Sequence, residues 1–304
     1  MNRPELRPLA VGEIVDAAIK LIRANARVLF TISAIVLIPL GLIQGFVTAL
    51  GIPDALATFD ALPGDGNITQ EQFNDLLSTL GQLLLLALAT AIITGLGSVL
   101  LQGASAKALT DVYQGGEPSW QDSLRFGFRR FFPILGATIL IGVASAIGLV
   151  FCLAPGIWLF TSWSVTVPAL VVENKGPIQA MGRSFELVRR RFWPVLGAVA
   201  LSYLVYFVVS QVIGLITGAT TFTGAATPSG ADIWISVIGS TITSVLVLPF
   251  MAAVFIVLYF DLRVRAEGYD LQVMASEIHQ DQPSNQLPDA EPDDPFGLGS
   301  PGRE

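Results

Sequence analysis

The chain alternates between long apolar runs and short polar segments rich in arginine. A helix needs about 20 apolar residues, at about 1.5 Å each, to cross a hydrocarbon core. Six runs meet that length: residues 28–50, about 80–103, 132–151, 155–172, 192–217 and about 233–259. None of the six holds Asp, Glu, Lys, Arg or His. A single helix over residues 132–172 would be about 60 Å long, twice the core thickness, and Pro155-Gly156 supplies a breaker, so a tight hairpin is expected there. The pattern predicts an all-α, polytopic integral membrane protein with its transmembrane domain over residues 1–272. Residues 273–304 are acidic and proline-rich, cannot bury a core, and predict a disordered cytoplasmic tail.

Between the runs a second pattern recurs. "RRFFPILGA" at residues 129–137 returns as "RRRFWPVLGA" at 189–198. Each copy closes an amphipathic segment. In residues 177–191, Gln179, Arg183, Glu186 and Arg190 form a polar stripe, with Ile178, Met181, Phe185 and Val188 opposite; Glu186 is spaced to pair with Arg190. Ser119 and Asp122 start the segment before the first copy as N-cap and N3. A third such segment covers residues 13–27, with Asp16, Lys20, Arg23 and Arg27 on one side and Ile14, Ala18, Leu21 and Ile22 on the other. The unit is a basic amphipathic helix followed by a helical hairpin, and three units give six spans. The residue before proline is pushed out of the helical region, so the turn into each span is expected at Phe132 and Trp193.

The basic residues orient the chain. All 17 Lys and Arg fall before span one, between spans two and three, between four and five, or after span six. With six spans these segments share one side, which predicts a multi-pass protein with both termini cytoplasmic. The first opposite loop is acidic and also holds "TQEQ", a capping box with Thr69 as N-cap and Gln72 at N3, so the second helix is expected to begin near Gln70. Asn67 lies in a formal glycosylation sequon, read here as carrying no modification. About 27 residues, acidic ones among them, precede the first run, so it reads as a retained helix rather than a signal peptide.

Composition adds exclusions. Charged residues are 13%, against about a quarter in soluble domains. The single cysteine, Cys152, reads as a small buried core residue, and the single histidine, His279, lies in the tail. No catalytic constellation, phosphate-cradling loop or ionisable group within a span appears, so neither enzymatic activity nor a cofactor is expected. The spans carry hydroxyl stripes instead: Ser202, Tyr206 and Ser210 with Tyr203 and Gln211 alongside; Ser236, Ser240 and Thr243; Ser162 and Thr166. Their first reading is interhelical hydrogen bonding; the second is a polar path. Gly142 and Ala146 read as close packing, and Pro39, Pro168 and Pro249 as kinks.

Three stretches, "RPLAVGEIVDAAIKLIRAN" (7–25), "ENKGPIQAMGRSFELVRRRFWPVLG" (173–197) and "YFDLRVRAEGYDLQ" (259–272), together resemble the membrane domain of glycerophosphoryl diester phosphodiesterases. The resemblance implies a bacterial six-span plasma-membrane protein and supplies no catalytic residues. The catalytic barrel of fused relatives, with its metal-binding acids and histidines, has no counterpart in this sequence.

Arg129, Arg130, Phe132, Arg189, Arg190, Arg191 and Trp193 are the candidate lipid-headgroup residues. The alternative is that these residues are topology signals on helices packed against the span ends. Ser202, Tyr203, Tyr206, Ser210, Gln211 and Ser240 are the candidates for a polar path. Asp261 and Arg265 are spaced as an ion pair, and Asp261 is also a candidate to hold an arginine from an amphipathic helix. The expected function is a non-catalytic module organising lipids or partner proteins, with a transporter or permease component as the alternative. Expected partners are anionic lipid headgroups and other membrane proteins, not nucleic acid.

Overall fold

The computed structural model describes residues 9–60, 69–217 and 230–267. The expected tail over 273–304, His279 and the Asn67 sequon lie outside these residues. Among the described residues the elements are all helices: α1 (Val11–Ala24), α2 (Ala26–Asp60), α3 (Gln70–Tyr113), α4 (Trp120–Arg129), α5 (Phe131–Phe151), α6 (Leu153–Ser162), α7 (Thr166–Val172), α8 (Pro177–Arg189), α9 (Phe192–Thr217) and α10 (Gly230–Glu267). Six segments are long and apolar enough to cross a membrane: α3, α5, α9, most of α2 and α10, and α6 with α7 taken together. The short helices α1, α4 and α8 each run directly into a span.

The helix starts follow local chemistry. Thr69 Oγ1 accepts the Gln72 N–H at 3.3 Å while Gln72 Oε1 accepts the Thr69 N–H at 3.0 Å, so α3 begins at its expected capping box. The Ser119 side chain accepts the Asp122 N–H at the start of α4. Asn174, with φ 54°, takes the left-handed conformation that asparagine tolerates, and Pro177 then opens α8.

The breaks fall upstream of where pre-proline sterics would put them. α4 gives way to α5 at Arg130, and α8 to α9 at Arg190 and Arg191, while Phe132 and Trp193 are already helical. A proline removes the N–H that would bond the carbonyl four residues back, and its ring crowds that carbonyl. For Pro133 and Pro194 those carbonyls belong to Arg129, the last residue of α4, and Arg190, the residue that caps α8. Pro168 acts likewise on Ser164 and divides the fourth span into α6 and α7 at residues 163–165. Pro39 and Pro249 instead lie within continuous helices. The third corner is Asn25, which separates α1 from α2 and donates its side-chain N–H to the Leu21 carbonyl at 2.9 Å. Arg27 therefore belongs to α2, not to the amphipathic segment.

The α5–α6 hairpin is as tight as expected. Its single connecting residue, Cys152, is extended and exposed rather than buried. Gly148 and Gly156 make it close: a Cβ on Gly148 would come within 3.0 Å of the Gly156 Cα. Gly142 does not play that role, for a Cβ there meets nothing, and Ala146 is exposed.

Helix α10 is the centre of the bundle, packed on α1, α2, α3, α7, α8 and α9. Half of its apolar window is buried, against 11% for α3 and α9. Its buried side chains, including Ile256, Leu258 and Tyr259, crowd toward the end where α1, α4 and α8 lie. Every described Lys and Arg lies toward this basic end. At the other end Leu50, Leu85, Val150 and Ile216 are exposed.

Candidate functional sites

α10 runs beyond its expected end at Tyr259 to Glu267, and these extra turns carry Asp261, Arg263, Arg265 and Glu267 among α1, α7 and α8. Two charged clusters form there. In the first, Glu173 at the end of α7 accepts Arg183 Nε at 2.8 Å, the Tyr259 hydroxyl at 2.8 Å and Lys175 Nζ at 2.5 Å. Arg183 also pairs with Glu267, which in turn accepts Arg263 Nε at 3.0 Å. Burial alone would raise the Glu173 carboxyl; the hydrogen bonds from Lys175, Arg183 and Tyr259, with the charge of Arg183, outweigh it and hold the group at about 2.

In the second cluster Asp261 accepts Arg265 Nε at 3.0 Å and the backbone N–H of Leu9 at 2.6 Å. Arg265 Nη2 donates to the Leu9 carbonyl at 2.8 Å. The expected Asp261–Arg265 pair is present. The further expectation, that Asp261 holds an arginine of an amphipathic helix, is replaced: Asp261 holds backbone just before α1, and Glu173 and Glu267 hold Arg183. Glu186 lies 3.5 Å from Arg183, not on Arg190.

These clusters correct the reading of α8. Its buried face is Ala180, Ser184, Leu187 and Val188, while Ile178 is exposed and Arg183 is turned inward. The small residues at helical spacing carried that signal in the sequence. Glu173, Tyr259 and Glu267 left no comparable mark, since their partners lie on other helices.

At the two corners the aromatics divide their work. Phe131 and Phe192 pack against the core, whereas Phe132 and Trp193 stand 78% and 77% exposed. Each pair meets edge to face, with ring centroids 5.5 and 5.7 Å apart. Arg129, Arg189, Arg190 and Arg191 are exposed around them, and Arg130 is half-buried.

The hydroxyl stripes mostly bond within their own helices. Ser202 donates to the Ala198 carbonyl, Ser210 to Phe207, Ser236 to Ile233, Ser240 to Val237 and Thr243 to Gly239. These bonds are not interhelical bridges, whereas Ser184 does bond across helices, to the Ser162 carbonyl at 2.9 Å. Gln211 is exposed on α9. Of the path candidates, Tyr203 and Tyr206 line a cavity of about 500 Å³ between α3, α5, α6, α7, α9 and α10.

The family described as the membrane domain of glycerophosphoryl diester phosphodiesterase matches residues 134–286, half of the chain. The chain belongs to this family. Among the curated proteins and the solved structures, nothing matches it. The match is to the membrane domain of a phosphodiesterase, not to its catalytic part. Within the membrane domain it takes in the whole first cluster, Glu173, Arg183, Tyr259, Arg263 and Glu267, and the Asp261–Arg265 pair; Leu9 lies outside it. The three stretches that carry the resemblance are far apart in sequence yet meet around the end of α10: Leu9 on Asp261, Glu173 on Tyr259, and Arg183 on Glu267.

Proposed function

We propose that the chain is a non-catalytic plasma-membrane module whose basic end faces the cytoplasm and organises anionic lipids or partner proteins there. The observation that carries this reading is the pair of outward-facing rings, Phe132 and Trp193, with exposed arginines beside each. Amphipathic rings collect at the headgroup level, and each nearby arginine is worth about 1 kcal/mol against an anionic surface. The clusters around α10 fix α1 and α8 against the bundle, which holds that face rigid. Reporter fusions at residues 65 and 115 test the orientation: the first must report outside and the second inside. In nanodiscs of mixed phosphatidylcholine and phosphatidylglycerol, replacing Arg129, Arg190 and Arg191 by alanine together with Phe132→Ala and Trp193→Ala removes the enrichment of phosphatidylglycerol around the protein. Unchanged enrichment rejects the reading.

The transporter reading rests on Tyr203 and Tyr206 at the cavity. It requires that alanine at these positions abolish uptake of a substrate without loss of folded protein.

A further inference from the structure

Among the described residues, none that lines the cavity is Asp, Glu, Lys, Arg or His. Its walls are mostly aliphatic and aromatic, with a few hydrogen-bonding groups among them. Ser98 and Thr138 donate to carbonyls of their own helices. Ser164 lies at the proline-induced break in the fourth span, and its buried Oγ has no partner among the described residues. Gln102, Tyr203 and Tyr206 join it around the same space. The two phenols are about 16–21 Å along α9 from its basic-end start, well inside the hydrocarbon region. Polar groups at that depth need a polar partner, because lipid chains offer none. The cavity opens sideways, with Phe160, Tyr203 and Tyr206 each 38–43% exposed at its edge. Gly142 borders it, with open space where a Cβ would stand.

We infer that this cavity binds an uncharged lipid with one long chain and a small hydroxyl- or ester-bearing head, of the monoacylglycerol class. The uncharged lining rejects a phosphate or ammonium group, which could not be paired there. A bilayer phospholipid would keep its phosphate at the surface and present only methylenes to Ser164, Tyr203 and Tyr206. A neutral head can sink to their level and satisfy them. The volume of about 500 Å³ falls within the range of small-ligand sites, ~300–1,000 Å³. At roughly 30 Å³ per water-sized unit it takes about 17 such units, enough for the head and the first part of one chain but not for two, and the rest of the chain leaves through the open side. The cavity shares no lining residue with the two lipid-facing corners.

The test places the full chain in vesicles of phosphatidylethanolamine and phosphatidylglycerol. These carry either a monoacylglycerol with a diazirine in its chain or a phosphatidylglycerol with the same diazirine. On irradiation the monoacylglycerol labels cavity-lining peptides of α3, α7 and α9 saturably, and unlabelled monooleoylglycerol competes. Gly142→Leu, which adds a large side chain at the exposed edge of the cavity, lowers that labelling about tenfold, equivalent to 1.4 kcal/mol, and leaves the melting temperature in place. Should that variant not fold, Tyr203→Phe with Tyr206→Phe lowers it about fivefold, the loss of one net hydrogen bond. Equal cavity labelling by the phosphatidylglycerol probe overturns the inference in favour of a slot for bilayer tails. Labelling that neither the glycine nor the tyrosine substitutions change also overturns it.

Discussion

Arg183 sits on the polar stripe of an amphipathic helix, yet only 15% of its side chain is exposed. Helical periodicity reports which residues share a face; it does not say whether a polar face meets water or a charged neighbour. Here the neighbours are Glu173 and Glu267. Removing the Glu173 charge leaves Arg183 on Glu267 alone and weakens the charge-assisted hydrogen bonds that Glu173 accepts, at a cost of about 1.5–3 kcal/mol. Glu173→Gln is therefore expected to lower the melting temperature in detergent at neutral pH by several degrees. The same residue gives the fold an acid limit. Its carboxyl, ordinarily near 4.5, is held at about 2, so its stabilisation is full above about pH 4.5 and drains as pH falls toward 2. A melting series across that window should slope for the native chain and slope less for Glu173→Gln, in which Glu267, held below its usual range against burial by Arg183 and Arg263, keeps its own share. Parallel slopes would show that Glu173 is not the group responsible.

Among the helices, three of the breaks follow one rule: the carbonyl four residues before a proline is where the ladder fails. It accounts for the corners at Arg130 and Arg190 and for the divided fourth span. Pro39 and Pro249 break no helix, because transmembrane helices tolerate proline where neighbours re-satisfy the freed carbonyl. Glycines divide in the same positional way. A Cβ on Gly156 would come 2.4 Å from the Leu149 side chain and 2.8 Å from its backbone nitrogen. Gly156→Ala should therefore cost about 1–3 kcal/mol through forced separation of α5 and α6. Gly142→Ala, with nothing near its Cβ, should be neutral or stabilise by up to about 1 kcal/mol through loss of backbone freedom in the unfolded chain. Thermal melts of the two variants in one detergent check both, and equal melting points would refute the packing assigned to the hairpin.

At the scale of the whole molecule, α10 ties distant parts of the chain together. Asp261 and Arg265 close on both backbone groups of Leu9, more than 250 residues away in sequence. Because the two side chains act on one segment, their effects should not add. Asp261→Ala, Arg265→Ala and deletion of residues 1–10 should each lower the melting temperature, and the double substitution should fall little further than the worse single one. Full additivity in a double-mutant cycle would show two independent roles.

The sequence by itself determined the number of spans, the side on which the basic segments gather, the three amphipathic helices and the capping box at Thr69. These rest on local quantities, namely run length, charge, helical period and capping chemistry, each readable within about 20 residues. It also marked the two aromatic corners, though not which ring of each pair faces outward. Only the tertiary structure decided that Arg183 turns inward, that Asp261 grips Leu9, that Gly142 borders open space and that Tyr203 and Tyr206 share a cavity with Ser164 and Gln102. Each of those depends on which helix lies beside which, and contacts between residues far apart in the chain leave no periodic signal along it.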